Sequence, residues 1–140
     1  MPTDSQKYLV GLVDPETLAA AESEDLHPSR IDYESCDILE IRYDFFDESD
    51  WPTLATRVRK LAPNAIQLGT IRLKRDGGTF PNARAIERPA LWRQILEAAD
   101  VPEWLDLERD YLHDYNELRE IAKSKGVKIL ISEHNFTRIP

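Results

Sequence analysis

The feature that most constrains this chain is a rhythm of five short apolar runs separated by helix-like stretches. The runs are YLVGLV (8–13), CDILEIRYDF (36–45), AIQLGTIR (65–72), EWLDLER (103–109) and VKILISEHNF (127–136). Each is rich in Ile, Leu, Val or aromatic residues and bounded by breakers, which predicts a strand. Between them, residues 16–22, 51–62, 88–99 and 112–126 carry helical patterns. Pro52 and the proline at 89 fall in first turns, Asp50 is placed to cap the second helix, and Gly126 follows the lysines that end the fourth. The predicted order is β-α-β-α-β-α-β-α-β, with roughly 30 residues per unit, the length of a βαβ crossover. Such alternation implies a parallel sheet.

Two architectures fit a parallel sheet, and the strand faces decide between them. Residues two apart share a face. Ile38 leads to Glu40, Arg42 and Asp44; Leu68 to Thr70 and Arg72; Trp104 to Asp106 and Glu108; Leu130 to Ser132 and His134. The opposite faces carry Leu39, Ile41 and Tyr43; Ile71; Leu105 and Leu107; Ile129 and Ile131. A doubly wound sheet, covered on both sides, reads as continuous apolar runs. One oily face and one that turns polar toward the strand exits fits a barrel, whose chemistry sits at the carboxyl-end mouth. The expected class is α/β, an incomplete (β/α)8 TIM-type barrel of about five parallel strands with crossover helices. It occupies residues 1–140 as a single partial domain.

The formal net charge of −8 argues against nucleic acid as the main partner, since phosphate binding needs a basic surface. Cys36 is the only cysteine, so no intrachain disulfide is expected. The amino terminus lacks the pattern of a signal peptide, and no run is long and apolar enough to span a membrane. A cytoplasmic location is the expectation. No HExxH, paired-cysteine, EF-hand, GxGxxG, Walker or GxSxG pattern occurs, so neither a metal nor a cofactor is expected.

Glu40 and Arg42, two apart, can reach one ligand or form a structural ion pair. Arg72 is followed by LKRDGGTF, a charged turn that also reads as a solvated loop. Asp106 and Glu108 fit acid/base carboxylates, but read better as polar filling bonded to neighbours. His134 titrates near neutrality and can move protons both ways. It stands at a strand exit facing the same mouth as two arginines and a glutamate. His27 and His113 read as surface residues.

DILEIRYDFF, TIRLKRDGG, WLDLER and ISEHNF together resemble, in order and spacing, type I 3-dehydroquinate dehydratase of the shikimate pathway. The resemblance runs from about Tyr8 to Pro140. It implies a (β/α)8 barrel that converts 3-dehydroquinate to 3-dehydroshikimate and water through a lysine Schiff base. By that resemblance Glu40 and Arg42 contact substrate hydroxyls, Arg72 binds the substrate, Asp76 stands where the family has a glutamate that orients the histidine, and His134 is the general acid and base.

The sequence departs from the family pattern in three places. Gly11 lies where the family often has a serine. Asp76 is one methylene shorter than glutamate. The Schiff-base lysine is expected on the strand after the histidine strand, and the sequence stops before it. Lys74 is the one lysine placed near the site. Five strands also leave two open edges, which invite pairing. Three origins fit: part of a longer protein, a chain completed by a copy or partner, or a degenerate binding or assembly module without catalysis. The expected partners are a small carboxylate substrate and a second copy in a homo-oligomer that completes the sheet.

Overall fold

A computed structural model describes residues 8–23 and 26–133. His134 lies outside the described residues, as do the last two residues of the predicted fifth run.

Five strands form one parallel sheet: β1 (Val10–Val13), β2 (Ile38–Arg42), β3 (Ile66–Thr70), β4 (Trp104–Glu108) and β5 (Lys128–Ser132). They are hydrogen-bonded in chain order, β1-β2-β3-β4-β5. Glu40 pairs with Leu68, Arg42 with Thr70, Leu68 with Trp104, and Glu108 with Ser132. A doubly wound sheet reverses its strand order at a switch point, whereas barrel winding keeps neighbours consecutive. The sheet is an arc of an incomplete (β/α)8 barrel.

The helices are α1 (Pro15–Ser23), α2 (Pro28–Ser35), α3 (Trp51–Leu61), α4 (Arg88–Leu96) and α5 (Asn116–Ser124). Contacts between α1 and α3, α2 and α3, α3 and α4, and α4 and α5 make a continuous outer layer. The face of α3 shows why: Trp51, Leu54, Ala55, Val58 and Leu61 recur at helical spacing and are all buried. Beneath the helices lie Val13, Leu39, Ile41, Leu105 and Leu107, each fully buried. Each such side chain contributes about 1.5–3 kcal/mol relative to exposure. Tyr43 meets Trp51 and Trp92 edge-on, with ring centroids 5.7 and 5.6 Å apart. Gly69 lies under this cluster; a Cβ there would stand 3.1 Å from Trp92 and 3.2 Å from Tyr43.

The inner face is exposed at its two edges, at Val10, Leu12 and Leu130, while Ile38 and Thr70 between them are buried; Ile131 on the outer side of β5 is exposed too. An open groove of about 850 Å³ between α5 and β5 is lined by Arg119, Lys123, Ile129 and Ile131 among others. Among the described residues, no helix is long and apolar enough to cross a membrane.

Several local expectations are corrected. The helix α2 has no counterpart in the predicted order; its one buried residue is Tyr33. His27 is more than a surface residue, because its Nδ1 accepts the Ser29 N–H at 3.1 Å and caps α2. Asp50 occupies the cap position of α3 but makes no side-chain cap bond, since it ends a 3-10 turn in helical conformation. The strand β2 stops at Arg42, and Asp44 lies in a 3-10 turn, Tyr43–Phe45, instead of continuing the alternation. The predicted fourth helix starts late, at Asn116, because Arg109–Tyr115 is wound as 3-10 helix.

Candidate active site at the carboxyl ends of the strands

Side chains from adjacent strands are joined into a row across the sheet. Thr70 Oγ1 on β3 donates to Glu40 Oε2 on β2 at 2.8 Å. Arg72, two residues past the end of β3, donates through Nη2 to Asp106 Oδ2 on β4 at 3.2 Å. Ser132 Oγ on β5 donates to the other oxygen of Asp106 at 2.5 Å. The side chains of Arg72 and Asp106 are 17% and 12% exposed, so this pair is largely withdrawn from water. Arg72 Nε is buried and has no partner among the described residues. An unsatisfied buried donor costs free energy until an acceptor reaches it.

Glu40 and Arg42 do not pair with each other. Glu40 takes Thr70, and Arg42 takes Asp44 in a bidentate pair, Nε to Oδ1 at 3.0 Å and Nη2 to Oδ2 at 2.8 Å. The Arg42 guanidinium also lies 4.2 Å from the Phe45 ring centroid. The 3-10 turn after β2 brings both partners back onto the arginine that precedes them.

Asp76 ends a short 3-10 turn, Lys74–Asp76, and Gly77 then takes a left-handed conformation with φ 92°. The next glycine is required for a different reason. A Cβ on Gly78 would stand 2.2 Å from the Arg72 carbonyl oxygen. The loop closes on the β3 exit through Gly78 N–H to Leu73 O at 2.9 Å and Phe80 N–H to Arg72 O at 3.0 Å. Lys74 is exposed at the start of this turn.

Asp76 reaches toward Glu108 rather than standing alone. Burial raises the Glu108 carboxyl above its ordinary value, the neighbouring Arg88 charge pulls it down, and hydrogen bonding to Asp76 pushes it up again. The net direction is upward. Arg88, only 1% exposed, donates through Nη1 to Glu108 Oε1 at 2.6 Å and to the Ile71 carbonyl at 3.1 Å. Its guanidinium lies 4.8 Å from the Tyr111 ring centroid. This buried arginine has no signal in the sequence, because a charged residue in a first helical turn reads as solvated.

Glu40, Arg42 and Arg72 therefore stand at the same end of neighbouring strands, with Asp76 in the loop that follows. Gly11 does not join them: a Cβ there would meet Cys36 Sγ at 2.6 Å and Leu39 at 3.1 Å, on the helix side of β1. Among the described residues, no group of three or more His, Cys, Asp or Glu could hold a metal ion.

Residues 17–140 match the family model for type I 3-dehydroquinase. A 3-dehydroquinate dehydratase from Geobacillus sp. (strain WCH70) is 31% identical over 108 residues, which cover 74% of this chain and 41% of that protein. Among solved structures, the 3-dehydroquinate dehydratase of Geobacillus kaustophilus HTA426 superposes with a TM-score of 0.70 at 21% identity, over 91% of this chain and 49% of that one. The type I enzyme of Clostridium difficile, solved with covalently modified comenic acid, gives 0.73 at 20% identity, over 95% and 53%. These two share the fold. The chain spans about half the length of the relatives it matches. On the family match and the 31% identity, the chain belongs to the type I 3-dehydroquinase family.

Proposed function

We propose that this chain supplies the substrate-binding and acid–base half of a 3-dehydroquinate dehydratase, a lyase of the shikimate pathway. The observation that carries the reading is the row Glu40–Thr70 and Arg72–Asp106–Ser132, which lies inside the segment matched by the family. Dehydration beside a ketone removes a proton from the α-carbon and expels a hydroxyl as water. One imidazole can take the first proton and deliver it to the leaving group. That role falls to His134, with Asp76 as its orienting carboxylate. An iminium on lysine makes the α-proton more acidic. By family resemblance the Schiff-base lysine belongs to the strand that follows the histidine strand.

The charges suit a hydroxylated carboxylate. Asp44 offsets the charge of Arg42, so Arg42 donates to neutral hydroxyls, and the Glu40 carboxylate accepts from them. Arg72, whose Nε has no partner among the described residues, suits the substrate carboxylate. The exposed apolar residues of β1 and β5 support assembly into a homo-oligomer that covers the sheet; a mass in solution of one 16.2 kDa chain would count against it. The reading places the protein in the cytoplasm, where such a pathway runs.

Borohydride reduction in the presence of 3-dehydroquinate tests the division of labour. The 140-residue chain should bind the substrate saturably and acquire no reduced adduct. Absence of saturable binding would sink the reading, and an adduct mapped to Lys74 would overturn the assignment of the lysine to a later strand.

A further inference from the structure

Arg42 ends β2 and Arg72 follows β3, yet one buried carboxylate ties their surroundings together. The Asp44 side chain is 0% exposed. It accepts both Arg42 bonds and, on Oδ2, the Thr79 backbone N–H at 3.1 Å. The Thr79 hydroxyl donates to the Asp44 carbonyl. Thr79 directly follows Gly78, which packs against the Arg72 carbonyl, and precedes Phe80, whose N–H donates to that same carbonyl. A continuous path of contacts thus runs from Arg42 through Asp44 and residues 78–80 to the backbone of Arg72.

We propose that Asp44 is a positioning residue that couples Arg42 to the loop after β3, so that the two arginines of the site are set in place together. A carboxylate is needed, because four donors converge on it: two guanidinium N–H groups, the Thr79 amide and, at 3.4 Å, the Thr79 hydroxyl. Its place in the 3-10 turn Tyr43–Phe45 is what lets it turn back onto Arg42. The coupling stands on geometry alone; its consequence for substrate rests on the dehydratase reading.

The test uses side-chain Nε–H resonances of 15N-arginine in the full chain. Thr79→Val keeps shape and the backbone N–H but removes the hydroxyl, and it touches neither arginine. It should shift the Arg42 resonance and speed its hydrogen exchange, while Arg57, bound to Glu22 away from this loop, is unmoved. Asp44→Asn should abolish Arg42 protection, by at least about tenfold for loss of charge-assisted bonds. Backbone amides of β2 and β3 report whether each variant is folded, and if Asp44→Asn is not, Thr79→Val decides. An Arg42 resonance indifferent to Thr79→Val overturns the coupling. With 3-dehydroquinate added, Thr79→Val should weaken affinity several-fold, and unchanged affinity overturns the positioning role. If the wild-type chain does not bind 3-dehydroquinate, the dehydratase reading fails, and the ligand-free spectra still decide the coupling.

Discussion

The most buried ion pair among the described residues joins charges that the local sequence does not bring together. Arg88 and Glu108 are 20 positions apart and meet only because α4 begins over the exits of β3 and β4. Desolvating two charges is costly, and each is tolerable because the other is present. The pair has a pH signature. The folded-state value of Glu108 lies above 4.5, so the folded form holds its proton more tightly than the unfolded chain. Its contribution to stability is full below pH 4.5 and falls as pH rises through the folded value. Unfolding midpoints in urea against pH should show wild type losing stability relative to Glu108→Gln over that window. A rise in the same window would contradict the account. By contrast Glu40, Arg42 and Arg72 were legible as site candidates, because a two-residue period puts them on one face. Thr70 and Asp106 were legible too, on the same polar face and, for Asp106, as filling bonded to a neighbour; the return of Asp44 onto Arg42 was not, since Asp44 leaves the strand period.

Strands are the most legible elements, as each joins β-branched or aromatic residues to breakers at both ends. Their cores were anticipated in all five, and β2 and β4 end where 3-10 turns begin, at Tyr43 and Arg109. The missed α2 has a physical reason: Ile31 is 49% exposed, so the helix lacks the apolar stripe that reveals the others. Its start depends on a histidine cap and Pro28 at the first position. The glycine pair after β3 was legible as a turn but not as two distinct demands. Gly77→Ala meets no described residue within 4 Å and incurs left-handed strain of about 1–2 kcal/mol. Gly78→Ala must displace the Arg72 backbone, so it should cost more, toward the upper part of the 0.5–3 kcal/mol common for point changes. Denaturant titration of both variants checks the order; equal losses would contradict the close packing seen at Gly78.

At the scale of the molecule, consecutive strand order and a single helical layer make the sheet a barrel arc with a polar row at one end. The polar face that favoured a barrel over a doubly wound sheet is present, and hydrogen bonds bind it from β2 to β5. The order of winding could not be read from composition, yet it followed from which face was oily. Everything functional rests on that row being a binding site for 3-dehydroquinate. The direct test is calorimetric titration of the substrate into wild type, Arg72→Gln and Arg84→Gln. Arg84 is an arginine of the outer loop, paired with Glu48 and Glu87, and serves as the control. The account predicts at least about a tenfold loss of affinity for Arg72→Gln, the scale of one charge-assisted bond, and no change for Arg84→Gln. Equal losses in both variants, or none in Arg72→Gln, would contradict it.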